Sequence, residues 1–269
     1  MIDLIVQILQ KTGWQLCFWG LPLLVLGVMI QRLAGAFQRL ACRIFGVRGY
    51  LLIFGWLGTA VHELSHAVAA ILFGHKIEEI KLFRLSPQGK NVGYVRHRHD
   101  PGSLYQRAGR FFIAAAPLLI GAMGIWTAAA VLAPGIFNGI AGADFGNSMA
   151  MGGSARIEGV LSTFVAVAKG FFQVENSRQW QFYLFLYLLF AIGSAMRLSA
   201  ADLKGAGTGA LMLLALLVGV NGVETLVFAQ AVVTPAIDCF FAFVYHMMIA
   251  VLVLHFIVFL AVYGMSRMR

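Results

Sequence analysis

The stretch WLGTAVHELSHAVAA, from Trp56 to Ala70, is an apolar run that two histidines and a glutamate interrupt. In a helix, His62 and His66 are four residues apart and lie on one face about one turn from each other, with Glu63 beside them. Two imidazoles in that arrangement can bind one metal ion. We therefore expect a metal site on this helix.

The sequence around the motif strengthens this expectation, because residues 50–74 are long and apolar enough to cross a bilayer. A carboxylate near the centre of such a helix costs about 2.5 to 3.5 kcal/mol on insertion scales. A metal ion bound by His62 and His66 would offset that cost and would hold Glu63 beside a water molecule rather than beside lipid. The alternative is a polar cluster packed between helices without a metal.

Composition places the whole chain in a membrane. Of its 269 residues 60% are hydrophobic and only 12% are charged, which predicts an all-α multi-pass membrane bundle with a small cytoplasmic β-hairpin. The net charge of +9 fits basic cytoplasmic loops better than a nucleic-acid partner. Hydropathy predicts about six spans, at residues 14–31, 50–74, 108–132, 180–198, 206–229 and 237–264.

The distribution of Lys and Arg predicts the orientation of these spans. If the six spans alternate, the side that carries both termini receives more basic residues than the other side, so both termini are expected in the cytoplasm. We expect an integral protein of a bacterial inner membrane. In this orientation the second span runs inward, and His66 lies nearer its cytoplasmic end.

Two connecting segments have recognisable patterns. Residues 81–85 and 92–95 resemble short strands around the turn at 86–89, which predicts a cytoplasmic hairpin within 77–97. Such a hairpin could offer a strand edge to an extended substrate, or it could be an ordinary loop. In the long outer segment 133–179, apolar residues at helical spacing in 157–172 predict a helix lying in the interface.

A catalytic zinc usually has three protein ligands and a water, so the two histidines need a further donor. Asp202 is the preferred candidate, because it follows the fourth span on the side toward which the metal is displaced. An open alternative is that Ser199 to Asp202 forms a helix cap, with Asp202 at its third position. Weaker candidates are His97, His99, Glu158, Glu175, Glu224, Asp238, His246 and His255.

Glu224 is a separate candidate because it lies inside the predicted fifth span near Asn221. An acid at that depth is costly. We expect it to contribute either to a substrate path or to a structural hydrogen bond.

The chain resembles the site-2 protease family of intramembrane zinc metalloproteases, which are M50-like peptidases. The residues that carry the resemblance are the helix segment 58–70 with its His-Glu-Leu-Ser-His core, the hairpin after it, Ala116-Pro117 in the third span, and the later aspartate. The resemblance covers residues 50–205. It implies His62, His66 and Asp202 as zinc ligands and Glu63 as general base. The family usually has Asp-Gly at the aspartate, whereas this chain has Asp202-Leu203.

These features together predict an organisation and a function. Residues 1–49 form an N-terminal span and a basic loop, 50–205 a metalloprotease-like membrane core, and 206–269 two C-terminal spans. The expected activity is Zn²⁺-dependent hydrolysis of a peptide bond in or near a transmembrane segment, with a membrane protein or peptide as substrate. The alternatives are an inactive scaffold of the same fold, a metal transporter, and a protease with a glutamate as third ligand.

Overall fold

The computed structural model describes residues 2–85, 92–141, 158, 161–162, 165, 168–173, 178–197, 200–228 and 234–267, with only the backbone at Asp202. Nearly all of the described chain is helical. The helices are α1 (Ile2–Gln15), α2 (Leu21–Tyr50), α3 (Trp56–Leu72), α4 (Leu104–Leu132), α5 (Pro134–Ala141), α6 (Trp180–Ala195), α7 (Ala200–Val223) and α8 (Thr234–Arg267). Short π-helical turns follow α1, α2 and α7, at Leu16–Gly20, Leu51–Gly55 and Glu224–Phe228.

Several of these helices are suited to a bilayer. Those that are long and apolar enough to cross one, within the described residues, are Ile2–Leu72, Leu104–Leu132, Ala210–Phe228 and Ala236–Gly264, while the apolar helix Trp180–Ala195 is shorter. The first of them covers the first two predicted spans. A kink at Gly46, where φ is 72° and ψ is 165°, separates these two spans. Glycine adopts this left-handed conformation without the penalty that a Cβ would bring. The prediction of a helical membrane bundle is confirmed at this level.

The motif helix α3 has two neighbouring helices. Helix α3 packs against α4 and α6, and small residues permit both contacts. Ala69 and Ala70 of α3 form a buried cluster with Ile113 and Ala116 of α4. The third predicted span therefore packs against the motif helix, and the predicted second and fourth spans are direct neighbours.

A two-stranded antiparallel sheet connects α3 to α4, with β1 at Lys76–Lys81 and β2 at Tyr94–Arg98. The hairpin is confirmed, but the prediction of a first strand at 81–85 was wrong, since the strand ends where that segment begins. The reason is local: Gly74 adopts φ of 70° directly after α3 and lets the chain enter the sheet at once. The predicted turn at 86–89 lies outside the described residues.

Helix α2, with the π-helical turn before it, lies beside α8 and runs in the same direction. Trp19 Nε1 donates to Asp238 Oδ1 over 2.7 Å, and further along both helices Gly27 faces Met248. Six strictly alternating spans would make the first and the sixth antiparallel. The sequence-based placement of both termini on one side, which depends on that alternation, is therefore not confirmed. Most of the predicted interfacial helix at 157–172 lies outside the described residues.

A polar network connects the N-terminal helix to the end of α7. Glu224 is 2% exposed, and its carboxylate accepts hydrogen bonds from Lys11 Nζ at 2.5 Å, Thr234 N at 2.9 Å and Thr234 Oγ1 at 2.7 Å. Gln15 and Asn221 exchange hydrogen bonds beside it. These contacts favour the structural role for Glu224 over a role in a substrate path.

Candidate active site

The two motif histidines converge on one point. His62 and His66 lie on the same face of α3, their rings are 4.7 Å apart at an angle of 84°, and their Nε2 atoms are separated by 3.2 Å. Helical spacing alone explains the shared face. The convergence of the nitrogens depends on ring rotation, which contacts from other helices determine.

Backbone carbonyls from two neighbouring helices hold the rings. His62 Nδ1 lies 2.8 Å from the carbonyl oxygen of Ala195 in α6, and His66 Nδ1 lies 2.8 Å from that of Ile113 in α4. A carbonyl oxygen can only accept, so each Nδ1 donates a hydrogen. In the neutral rings, each Nε2 then presents a lone pair toward the other histidine. Carbonyl contacts of this kind, made by the ring nitrogen that does not face the metal, commonly orient metal-binding histidines.

The geometry of this pair fits a zinc ion. Two Zn–N bonds of about 2.0 to 2.1 Å at the tetrahedral angle place the nitrogens about 3.3 to 3.4 Å apart. The observed separation of 3.2 Å is close to that value. Two lone pairs at this distance repel each other unless a cation or a proton lies between them.

Close helix approach makes the His62 contact possible. Gly58 is buried one turn before His62, and a Cβ placed there would overlap the carbonyl oxygen of Ala191 in α6. Only glycine allows this approach. It brings the end of α6 near enough for the Ala195 carbonyl to reach His62.

Glu63 lies against the segment that enters β2. A Cβ added at Gly93 would come within 2.8 Å of Glu63 Cγ and 2.9 Å of Thr59 Cγ2. The backbone at Gly93 therefore covers the motif glutamate on one side. The sequence predicted a hairpin in this region, but not the glycine contact.

A cavity of about 610 Å³ opens onto the motif. His62, Glu63 and His66 line it, together with residues from α2, α4, α6 and the hairpin. Its other polar lining residues include Gln38, Thr59, Tyr94, His97, Arg110, Ser194 and Arg197. This is a cavity of mixed polar and apolar lining beside a membrane helix, large enough to hold water or a short peptide segment.

The predicted third ligand is not tested by these contacts. Asp202 belongs to α7, which begins at Ala200, but its side chain lies outside the described part of the chain, as does Ser199. Arg197, five residues earlier, lines the cavity. Among the described residues, no group of three His, Cys, Asp or Glu side chains could hold a metal ion.

The other predicted donors have different surroundings. His97 lines the cavity, while Asp238 accepts from Trp19 and Glu224 from Lys11. His246 and His255 bond to carbonyls of their own helix. Glu158 is exposed, Glu175 lies outside the described residues, and the His99 ring stacks on His75 at 5.3 Å.

His75 is a residue that the sequence interpretation missed. It is 5% exposed, its Nε2 donates to the Gln106 carbonyl at 2.8 Å, and its Nδ1 lies 2.9 Å from His97 Nδ1. Burial is the first cause that lowers the pKa of His97, followed by the nearby His75, His66, His99 and Arg110. No pattern in the sequence indicates these contacts, because Gln106 and His97 lie 31 and 22 residues further along the chain.

Fold and site define a helical membrane protein that carries two converging histidines and a glutamate beside a cavity. Residues 36–142, which are 107 of the 269, match the family described as Peptidase M50B-like. This match confirms the resemblance to the M50 peptidases and site-2 proteases. It contains the motif helix, the hairpin and α4, and it ends before α6 and Asp202. Comparisons with curated proteins and with solved structures found no match.

Proposed function

We propose that this protein is an intramembrane zinc metalloprotease that hydrolyses a peptide bond in or near a transmembrane segment of its substrate. The observation that carries the proposal is the His62–His66 pair, whose Nε2 atoms face each other at 3.2 Å while both Nδ1 atoms contact carbonyls. The M50B-like match supports the same class of activity.

Each of the motif residues would have a separate role in the reaction. His62 and His66, with Asp202 as the proposed third ligand, would hold a zinc ion. Bound there, zinc would polarise the scissile carbonyl and lower the pKa of water. Glu63 takes the proton of the attacking water and passes it to the leaving amine. The contact with Gly93 restricts where the Glu63 side chain can lie.

The substrate must be partly unwound before this chemistry. A transmembrane helix hides its carbonyls in backbone hydrogen bonds, so a scissile carbonyl is accessible only after local opening. Val92, Gly93, Tyr94 and Val95, which belong to β2 or directly precede it, are among the residues that line the cavity. We propose that this strand pairs with the opened segment by β-augmentation.

A comparison of metal content with cleavage tests the proposal. Glu63→Gln should retain zinc and lose cleavage of a pool of synthetic transmembrane peptides by about 10² to 10⁴-fold, because the general base is gone. His66→Ala should lose the zinc itself, measured by mass spectrometry of the metal. Asp3→Asn, at an exposed position near the start of α1 and outside the cavity lining, is the control and should leave both values unchanged. Cleavage at the wild-type rate by Glu63→Gln would exclude this mechanism.

The third ligand needs a separate experiment. Asp202→Asn should lower zinc affinity about 10 to 100-fold or more if the carboxylate binds the metal. Ser199→Ala removes the cap partner and should leave zinc affinity unchanged. If both substitutions lower thermal stability equally and neither changes zinc affinity, Asp202 is a helix cap.

A further inference from the structure

Two arginines line the cavity beside the motif. Arg110 comes from α4, and Arg197 follows the end of α6. The acidic residue among the described lining is Glu63, which has its own place beside the histidines. The cavity wall therefore carries two permanent positive charges in addition to the proposed metal.

Neither guanidinium has an ionic partner among the described residues. The described ion pairs join Lys11 to Glu224, Lys81 and Arg96 to Glu79, and Arg98 to Glu78. Arg96 and Arg98 in β2 are thus paired, whereas the structure describes no acidic partner for Arg110 or Arg197. Charged side chains within membrane segments usually pair or face a water-filled cavity, and they often mark the path of a substrate.

The two arginines lie close in sequence to the carbonyls that hold the histidines. Arg110 precedes Ile113 by one helical turn, and Arg197 follows Ala195 by two residues. Arg110 thus lies on the helix whose Ile113 carbonyl contacts His66, and Arg197 follows the helix whose Ala195 carbonyl contacts His62. An anion bound by them would lie near the scissile bond.

We propose that the substrate carries a carboxylate near the scissile bond and that Arg110 and Arg197 bind it. Guanidinium and carboxylate are matched in charge and in planar hydrogen-bonding geometry. This inference deepens the proposed function, because it names the substrate class of the same cavity. The carboxylate comes from an internal aspartate or glutamate, or from a free peptide C-terminus.

A binding experiment with the full chain tests this without requiring cleavage. The Glu63→Gln protein in nanodiscs is titrated with fluorescent transmembrane peptides, read by anisotropy. The first peptide has a central glutamate and an amidated C-terminus, and the second replaces that glutamate by glutamine. A third has the glutamine and a free C-terminal carboxylate. We expect the first or the third to bind about tenfold more tightly than the second.

Charge-removing variants locate the effect. Arg110→Gln and Arg197→Gln should each reduce the preference for the carboxylate peptide several-fold, while Arg110→Lys and Arg197→Lys should retain part of it. Arg107→Gln is the matched control, because it lies on the same helix outside the cavity lining. The preference should also weaken at high salt. Equal affinity for the three peptides, or a preference that survives both glutamine variants, overturns the inference.

The outcomes separate this inference from the protease proposal. A carboxylate preference in a protein whose wild type does not cleave peptides supports the anion site and contradicts the protease. Cleavage by the wild type with no enrichment of Asp, Glu or a free C-terminus near the cut supports the protease and contradicts the anion site. Thermal melting of each variant identifies any substitution that fails to fold, and the lysine variants then decide the result.

Discussion

Gly58 determines how closely the motif helix approaches α6. Since a Cβ there would overlap the Ala191 carbonyl, Gly58→Ala should push the two helices apart and move the Ala195 carbonyl away from His62. Overpacking of this kind costs about 1 to 3 kcal/mol. We expect a lower melting temperature and weaker zinc binding, measured on the same purified sample.

A second glycine serves as the control for that substitution. Gly13 lies in α1, and a Cβ added there meets nothing within 4 Å. Gly13→Ala should be neutral or stabilising by about 0.5 to 1 kcal/mol, because alanine is the better helix former. If Gly58→Ala melts and binds zinc as the wild type does, the close approach is not what positions His62.

At the scale of elements, His97 should make the hairpin sensitive to pH. Its pKa in the folded protein is below the ordinary value of about 6.5, chiefly because of burial. The unfolded hairpin therefore binds the proton at a higher pH than the folded one. Stability is full above about pH 6.5 and is lost as the pH falls below it. The charged or titratable groups around His97 are His66, His75, His99 and Arg110.

Hydrogen exchange of residues 76–98 measures this effect. After correction for the intrinsic exchange rate, protection should be lower at about pH 5.5 than at about pH 7.5, and His97→Gln should flatten the difference. Residues 21–45 contain no histidine and provide the internal reference. Protection that is constant or increases on acidification contradicts the prediction.

The contact between α1 and the end of α7 is also an element-scale feature. Glu224 is buried, whereas Lys11 is 31% exposed, so Glu224→Gln should cost about 1 to 3 kcal/mol rather than the full penalty of a buried charge pair. Lys11→Met should cost a similar amount. The double variant should lose less than the sum, because the two residues share one interaction.

Unfolding in mixed detergent micelles gives these free energies. The pair Lys81 and Glu79 on the exposed hairpin is the control, and its cycle should show no measurable coupling. Additive losses for Lys11→Met and Glu224→Gln would mean that the ion pair contributes nothing to the attachment of α1.

The sequence predicted contacts between residues that are close along the chain, and it did not predict contacts between residues that are far apart. The spacing of His62 and His66 indicates a shared face because a helix sets distances between residues four apart. The carbonyls that hold the rings are 133 and 47 residues away, at Ala195 and Ile113, and no pattern in the sequence indicates them. Hydropathy likewise predicted where apolar helices lie but not which helices pack together, since it measures length and composition alone.

At the scale of the whole molecule, cross-linking can test whether the N-terminal segment from the end of α1 through α2 runs parallel to α8. Gln15 contacts Thr234 at one end, with Gln15 Nε2 and Thr234 Oγ1 3.3 Å apart, and Gly27 faces Met248 further along. A protein with Cys17, Cys42 and Cys239 replaced by serine provides the background. In membranes, Gln15→Cys with Thr234→Cys should react with a short bismaleimide, because the helices run side by side from that end.

The control pair of cysteines tests an antiparallel alignment of the same helices. If the helices ran antiparallel about the contact of Gly27 with Met248, Gln15 would face Leu260, which lies about 39 Å along α8 from Thr234. Gln15→Cys with Leu260→Cys should therefore remain unlinked. Cross-linking of that pair in place of Gln15 with Thr234 would restore strict alternation of the spans, and with it the placement of both ends of the chain on one side. Linkage of Gln15 with Thr234 alone means instead that an odd number of membrane crossings lies between these two helices, rather than the four that the sequence predicts.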